Sequence, residues 1–145
     1  MKTLIIIKPW AVSRGLVGEI LTRFERHGLR LAGLKVVKVT KEQAEKLYTI
    51  HKGKPFYDSI VHHITSSPVV CGILDTDVLD TDIAIALVRK IVGATDPIKA
   101  EMGTIRGDYG LRIDRNVIHA SDSKESAAYE IPIFFKEDES IEYPK

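Results

Sequence analysis

Leu4-Ile5-Ile6-Ile7 is an unbroken apolar run ended by Lys8 and Pro9. Pro9 cannot donate to a ladder, so the run predicts a first strand that stops there. Ile20, Leu21 and Phe24 follow at helical spacing within 19–27, and Gly28 supplies the stop. Leu34, Val36 and Val37 mark a strand over 29–39. Thr40, with Gln43 three residues on, forms a capping box that opens a helix through Ala44, Leu47 and Tyr48. A further helical stretch begins at Pro55, with Ile60, Val61 and Ile64 on one side, and Ser66-Ser67-Pro68 closes it. Residues 68–74 predict a third strand buried on both faces. A helix over 80–92 follows, in which Ile83, Leu87 and Ile91 repeat every four residues.

The glycine-bearing stretch 93–115 predicts a long loop, and loops of that length in a compact domain are usually functional. Asn116 to His119 is the last strand. Asp122 with Glu125 spells a second capping box, placing a helix over 123–130 before a short apolar segment, Ile131 to Phe135. The acidic tail 136–145 is expected to be weakly ordered. Without its helical hairpin the order is βαββαβ. This predicts an α+β, ferredoxin-like antiparallel sheet with helices on one face, as a single domain over 1–145.

Composition narrows the class. The 145 residues suffice for one core, and 44% apolar with 28% charged fits a soluble globular chain. No apolar run reaches the roughly 18 residues of a membrane span. A net charge of +1 gives no field for polyanions, so no specific nucleic acid is expected as a partner. Cys71 is the single cysteine, inside an apolar run, so it suits a buried role and a reducing, cytoplasmic setting.

The candidate chemistry centres on Asn116-Val117-Ile118-His119-Ala120-Ser121-Asp122-Ser123. One imidazole ends a short strand immediately before a helix start, whose free N–H groups favour anions. A nucleophilic imidazole beside an anion site suggests phosphoryl chemistry through a phosphohistidine. The chain has no Walker loop and no Gly-x-Gly-x-x-Gly after a strand, so side chains must hold the phosphates. Lys8 at a strand end, Arg106 in Gly103-Thr104-Ile105-Arg106-Gly107-Asp108 and Arg89 before Thr95 are the available cations.

The octapeptide around His119 resembles the active-site signature of nucleoside diphosphate kinases. Lys8-Pro9, Arg14 to Glu19, Tyr48 with Lys54-Pro55-Phe56, Ser67 to Val70, Gly93 to Pro97 and Gly103 to Asp108 resemble segments of that family in its order. The resemblance implies Mg²⁺-dependent ping-pong transfer of a γ-phosphoryl group between nucleoside tri- and diphosphates, with Mg²⁺ carried on the phosphates. It implies His119 as nucleophile, oriented by Glu130 and Ser121. Lys8 would meet the sugar and the moving phosphoryl group, and Asn116 the sugar. Tyr48, Arg89, Thr95 and Arg106 would serve the phosphates, while Phe56 would stack on the base opposite Ile113, with Ile60 nearby. The 93–115 loop would cover the nucleotide, and copies would assemble, as a hexamer in preference to a tetramer.

Three positions depart from the family. Trp10 stands where Asp is usual, Ala120 where Gly is commoner, and the segment 74–84 is about five residues longer by inspection of the family pattern. Two other readings compete. Arg26-His27-Gly28 spells the histidine-phosphatase tripeptide, but here it ends a helix rather than a first strand. His51, His62 and His63 lack partners at metal-ligand spacing and suit solvated helix positions. A ferredoxin-like binding module without turnover is the rival function class.

Overall fold

A computed structural model describes residues 2–113 and 115–144. Its sheet is built from β1 (Lys2–Ile7), β2 (Arg30–Val37), β3 (Val69–Asp75) and β4 (Ile118–Ala120), in the order β2-β3-β1-β4 with every pair antiparallel. Helices α1 (Pro9–Ser13) and α2 (Val17–Glu25) link β1 to β2, and α3 (Lys41–Leu47) with α4 (Tyr57–Thr65) forms the hairpin before β3. Then come α5 (Thr81–Val92), α6 (Ile105–Tyr109), β4 and α7 (Lys124–Phe134). The expected α+β architecture is present.

Helices cover both faces of the sheet rather than one. Ile5 and Ile7 pack with Ile20, Phe24, Val88 and Val92 from α2 and α5. Leu4 and Ile6 pack with Ala44, Leu47, Ile60, Ile64 and Phe134 from α3, α4 and α7. Side chains alternate across a strand, so a continuous apolar run such as Leu4–Ile7 or Val69–Leu74 needs an apolar layer on each side.

Three elements differ from their sequence expectation. In α5 the buried stripe is Ala84, Ile85, Val88, Ile91 and Val92, while Ile83 is exposed. The last helix continues to Phe134 through exposed Pro132, because Phe134 and Phe135 are anchored in the second core. The loop 93–115 carries α6, with Thr104 as its N-cap: the Gly107 amide donates to the Thr104 hydroxyl at 3.0 Å. The capping box at Thr40 and Gln43 is formed in both directions, at 3.1 and 3.0 Å.

The tail is also ordered more than its composition suggested. Ile141 N–H donates to the Ala32 carbonyl at 2.8 Å, Lys35 pairs with Glu139 at 3.0 Å, and the Tyr143 hydroxyl donates to the Leu31 carbonyl. Among the described residues, no helix is long and apolar enough to cross a membrane.

Candidate active site

Strand register decides which side of the sheet carries the chemistry. His119 lies opposite Ile6 in the β1–β4 ladder, and therefore points to the face that holds α3, α4 and α7. Lys8 follows Ile6 by two and takes the same side. Its amide extends the ladder to Val117 O at 3.0 Å, and Pro9 then turns the chain into α1.

A cleft of about 310 Å³ opens there. Lys8, Tyr48, Phe56, Ile60, Arg89, Thr95, Arg106, Ile113, Asn116, His119 and Glu130 all line it. Ser121, fully buried, lies behind it and acts through Glu130. The Glu130 Oε1 atom sits 2.8 Å from His119 Nε2 and also accepts from the Ser121 hydroxyl at 2.7 Å. A carboxylate acceptor selects the Nε2–H tautomer, and the in-plane lone pair then falls on Nδ1.

Cations frame the ring from behind. Arg106 Nη2 donates to Ile118 O at 2.9 Å and Arg89 Nη1 to Ala120 O at 3.0 Å, so the two guanidiniums grip the carbonyls on either side of His119. Arg106 also holds Gly93 O at 3.1 Å, which fixes the loop start. Asn116 Nδ2 donates to Thr95 O at 3.0 Å and closes the opposite end of the same loop.

Several donors in the cleft lack partners. The Tyr48 hydroxyl and the Arg106 Nε are buried with no hydrogen bond. Buried unpaired donors are costly, and they are explained where a ligand supplies the acceptors. Burial and the positive Arg106 pull the Lys8 ammonium down to about 7, while burial, then Arg89, lowers Arg106 to about 10. Burial and the Glu130 carboxylate push the Tyr48 phenol up. An anion arriving here would favour the charged forms of both groups, most of all the Lys8 ammonium.

The family profile described as nucleoside diphosphate kinase matches residues 1–140. The chain belongs to that family. It is by membership a phosphotransferase that works on nucleotides. A nucleoside diphosphate kinase of Thermomicrobium roseum is 55% identical over 144 residues, covering 99% of this chain and 93% of its own. Its counterpart in Pyrococcus abyssi is 52% identical, with 99% and 89% covered. Among solved structures, the halophilic kinase of Halobacterium salinarum in complex with CDP superposes with a TM-score of 0.92 at 39% identity, covering 100% of this chain and 93% of that one.

The family's departures find simple places. Ala120 needs no left-handed backbone, since among the described residues positive φ occurs at glycines alone. Trp10 packs against the first core, with the Arg14 guanidinium 4.3 Å from its ring centre. Residues 74–84 do not line the cleft, and Asp75, Thr76, Asp77 and Leu79 line a separate surface with Arg30 and Tyr143. Arg30 pairs there with Asp75 at 3.8 Å and Asp77 at 3.6 Å.

Two readings of single residues are corrected. Asp122 is not the N-cap of α7. Ser123 caps it, accepting from Ser126 N at 3.0 Å, while Asp122 accepts from the Ser126 hydroxyl at 2.6 Å at the cleft rim. His51 is not a solvated helix position either. It ends a 3-10 turn after Tyr48, lines the cleft, and stands 5.4 Å from the Phe56 ring with Nδ1 buried and unpartnered. Burial foremost, then Lys54, keeps it below the ordinary histidine value. Its one sequence signal was position, between Tyr48 and Phe56.

Proposed function

We propose that His119 Nδ1 attacks the γ-phosphorus of a nucleoside triphosphate such as ATP, forming an N–P bond as the bond to the leaving diphosphate oxygen breaks. The diphosphate departs, a second nucleoside diphosphate enters, and one of its terminal oxygens takes the phosphoryl group and restores the imidazole. Glu130 holds the Nε2 proton throughout and balances the charge that the phosphorylated ring carries. The observation that carries this reading is the 2.8 Å bond from Nε2 to Glu130, with Ser121 fixing the same oxygen.

Lys8, Arg89, Arg106 and the Tyr48 hydroxyl would receive the phosphate oxygens, with Thr95 and His51 beside them. Lys8 and Asn116 would meet the sugar. Phe56 would stack on the base, opposite Ile113 and beside Ile60, and aromatic stacking tolerates any base. The cleft carboxylates already have partners: Glu130 holds His119 and Ser121, and Asp122 holds Ser126. This donor set suits phosphate oxygens, so a Mg²⁺ would travel on the nucleotide. When bound it neutralises charge on the phosphate oxygens in the transition state.

We also infer a homo-oligomer, a hexamer in preference to a tetramer. Exposed Leu34 and Val36 on the edge strand β2, and Ile98, Met102 and Leu111 on the long loop, are apolar surfaces that copies of the chain would cover. The lone buried Cys71 supports a reducing, cytoplasmic setting.

The test is incubation with γ-labelled ATP. The wild type should take up an acid-labile, alkali-stable label and pass it to added nucleoside diphosphate. His119→Ala should take up none. Glu130→Gln should be labelled on the order of a hundredfold more slowly with nucleotide affinity nearly intact. A wild type that binds nucleotide yet never becomes labelled would be a binding module instead.

A further inference from the structure

Arg106 reaches the cleft from α6, a helix of five residues. So short a helix has little stability of its own, and contacts outside it must hold it in place. Two steps along a helix turn it by about 200°, so Asp108 faces away from Arg106. On that far side stands Arg23, one turn after Glu19 on α2. Arg23 Nη1 pairs with Asp108 Oδ2 at 2.6 Å and donates to Gly103 O at 3.1 Å, immediately before the Thr104 cap. Its Nη2 donates at 3.1 Å to the hydroxyl of Tyr109, the last residue of α6. Asp108 Oδ1 accepts from Gly103 N at 2.9 Å, and the Tyr109 hydroxyl donates to Glu19 at 3.0 Å. One guanidinium on α2 thus holds both ends of α6.

We propose, on the phosphate role given to Arg106 above, that Arg23 is a positioning residue for phosphoryl transfer, acting through α6 to keep the Arg106 guanidinium aimed at the phosphates. Arg23 itself does not line the cleft. Arg106 bonds Gly93 O and Ile118 O from one face of α6 while Arg23 holds the other, so the helix is fixed on both sides. The planar fork of Arg23 matters, because it meets Gly103 O, Asp108 and Tyr109 in fixed directions that a lysine ammonium does not impose. The Gly103 amide, then Arg23, keeps the Asp108 carboxyl below its ordinary value, so the ion pair persists at neutral pH. A misplacement of about 1 Å at a reacting group can cost about a hundredfold in rate.

The rate of His119 labelling by γ-labelled ATP tests this in the assembled, full-length protein. Arg23→Met should slow labelling about tenfold to a hundredfold. The loss should persist at saturating ATP, because a misplaced Arg106 fails the moving phosphoryl group as well as binding. A side chain that only stabilised the fold would leave that limiting rate unchanged in folded protein, and circular dichroism verifies folding. Asp108→Ala removes the same ion pair from the other side and should also slow labelling, so it serves if Arg23→Met does not fold. In an Arg106→Gln background, Arg23→Met should slow labelling less than about threefold further, because its target is already gone. The proposal fails if either variant, folded, labels at the wild-type limiting rate, or if the Arg23 and Arg106 losses multiply in full. Normal labelling of the wild type with no effect of these variants overturns this proposal alone, whereas a wild type that takes up no label overturns the transfer reading with it.

Discussion

Burial and the neighbouring Arg106 guanidinium bring the Lys8 ammonium from 10.5 to about 7. In the unfolded chain the group keeps its ordinary value, so between about pH 7 and 10.5 the unfolded state holds more protons and stability rises with pH. Below pH 7 both states are charged and the burial cost is constant. An incoming phosphate favours the ammonium and raises its pKa again, so nucleotide binding at about pH 8 should take up a proton, and well below pH 7 it should not. Calorimetry in buffers of different ionisation enthalpy reads this uptake, and Lys8→Met should remove it. Equal apparent enthalpies in all buffers at the higher pH would refute it. At this scale the sequence was informative wherever a residue stood in a motif, as with His119, Lys8 and Arg106. It misplaced His51 as a solvated position, because only the approach of the 3-10 turn to Phe56 and His119 makes that imidazole part of the cleft.

Strands and long helices were legible as elements, because periods of two and 3.6 leave a trace over several residues. Helix α6 was not, since five residues carry too little period, and its existence depends on Thr104 as cap and on the packing of Gly107 and Gly110. A Cβ at Gly107 would fall 2.6 Å from the Glu101 carbonyl carbon and 2.8 Å from the Thr104 hydroxyl. Gly107→Ala should therefore push α6 off the preceding loop and displace its neighbour Arg106 from Gly93 O and Ile118 O. We expect a loss of about 1–3 kcal/mol in urea unfolding, as for other overpacked sites, together with weaker nucleotide binding. Unchanged binding with lowered stability would show that Arg106 is held independently of the helix. The α7 extension is a related case. Pro132 marks a helix end by local rules, at a cost of about 3 kcal/mol in a helix interior. Burial of Phe134 offsets much of this, at about 1.5–3 kcal/mol for a side chain of that size.

At the scale of the whole molecule, two covered faces and a pinned tail hold the sheet that carries the site. The tail's acidic composition gave no hint of order, because its partners Lys2, Leu31, Ala32 and Lys35 lie about a hundred residues away in sequence. Ile141 and Tyr143 both donate to carbonyls of β2, and Arg30 stands 4.2 Å from the Tyr143 ring centre. Each such hydrogen bond is worth about 0.5–1.5 kcal/mol, so deleting residues 137–145 should cost about 1–3 kcal/mol of stability. The exposed carboxylates of Glu139 and Glu142 add a remainder that salt removes, since such pairs are screened. The difference between full-length and shortened chains should therefore shrink in high salt without vanishing. Transfer activity at a temperature where both chains are folded should be equal, because among the described residues none of 137–144 lines the cleft. Equal urea midpoints would mean that the tail only rests on the sheet. Lost activity in a folded, shortened chain would mean that β2 and the cleft are mechanically linked through β3 and β1.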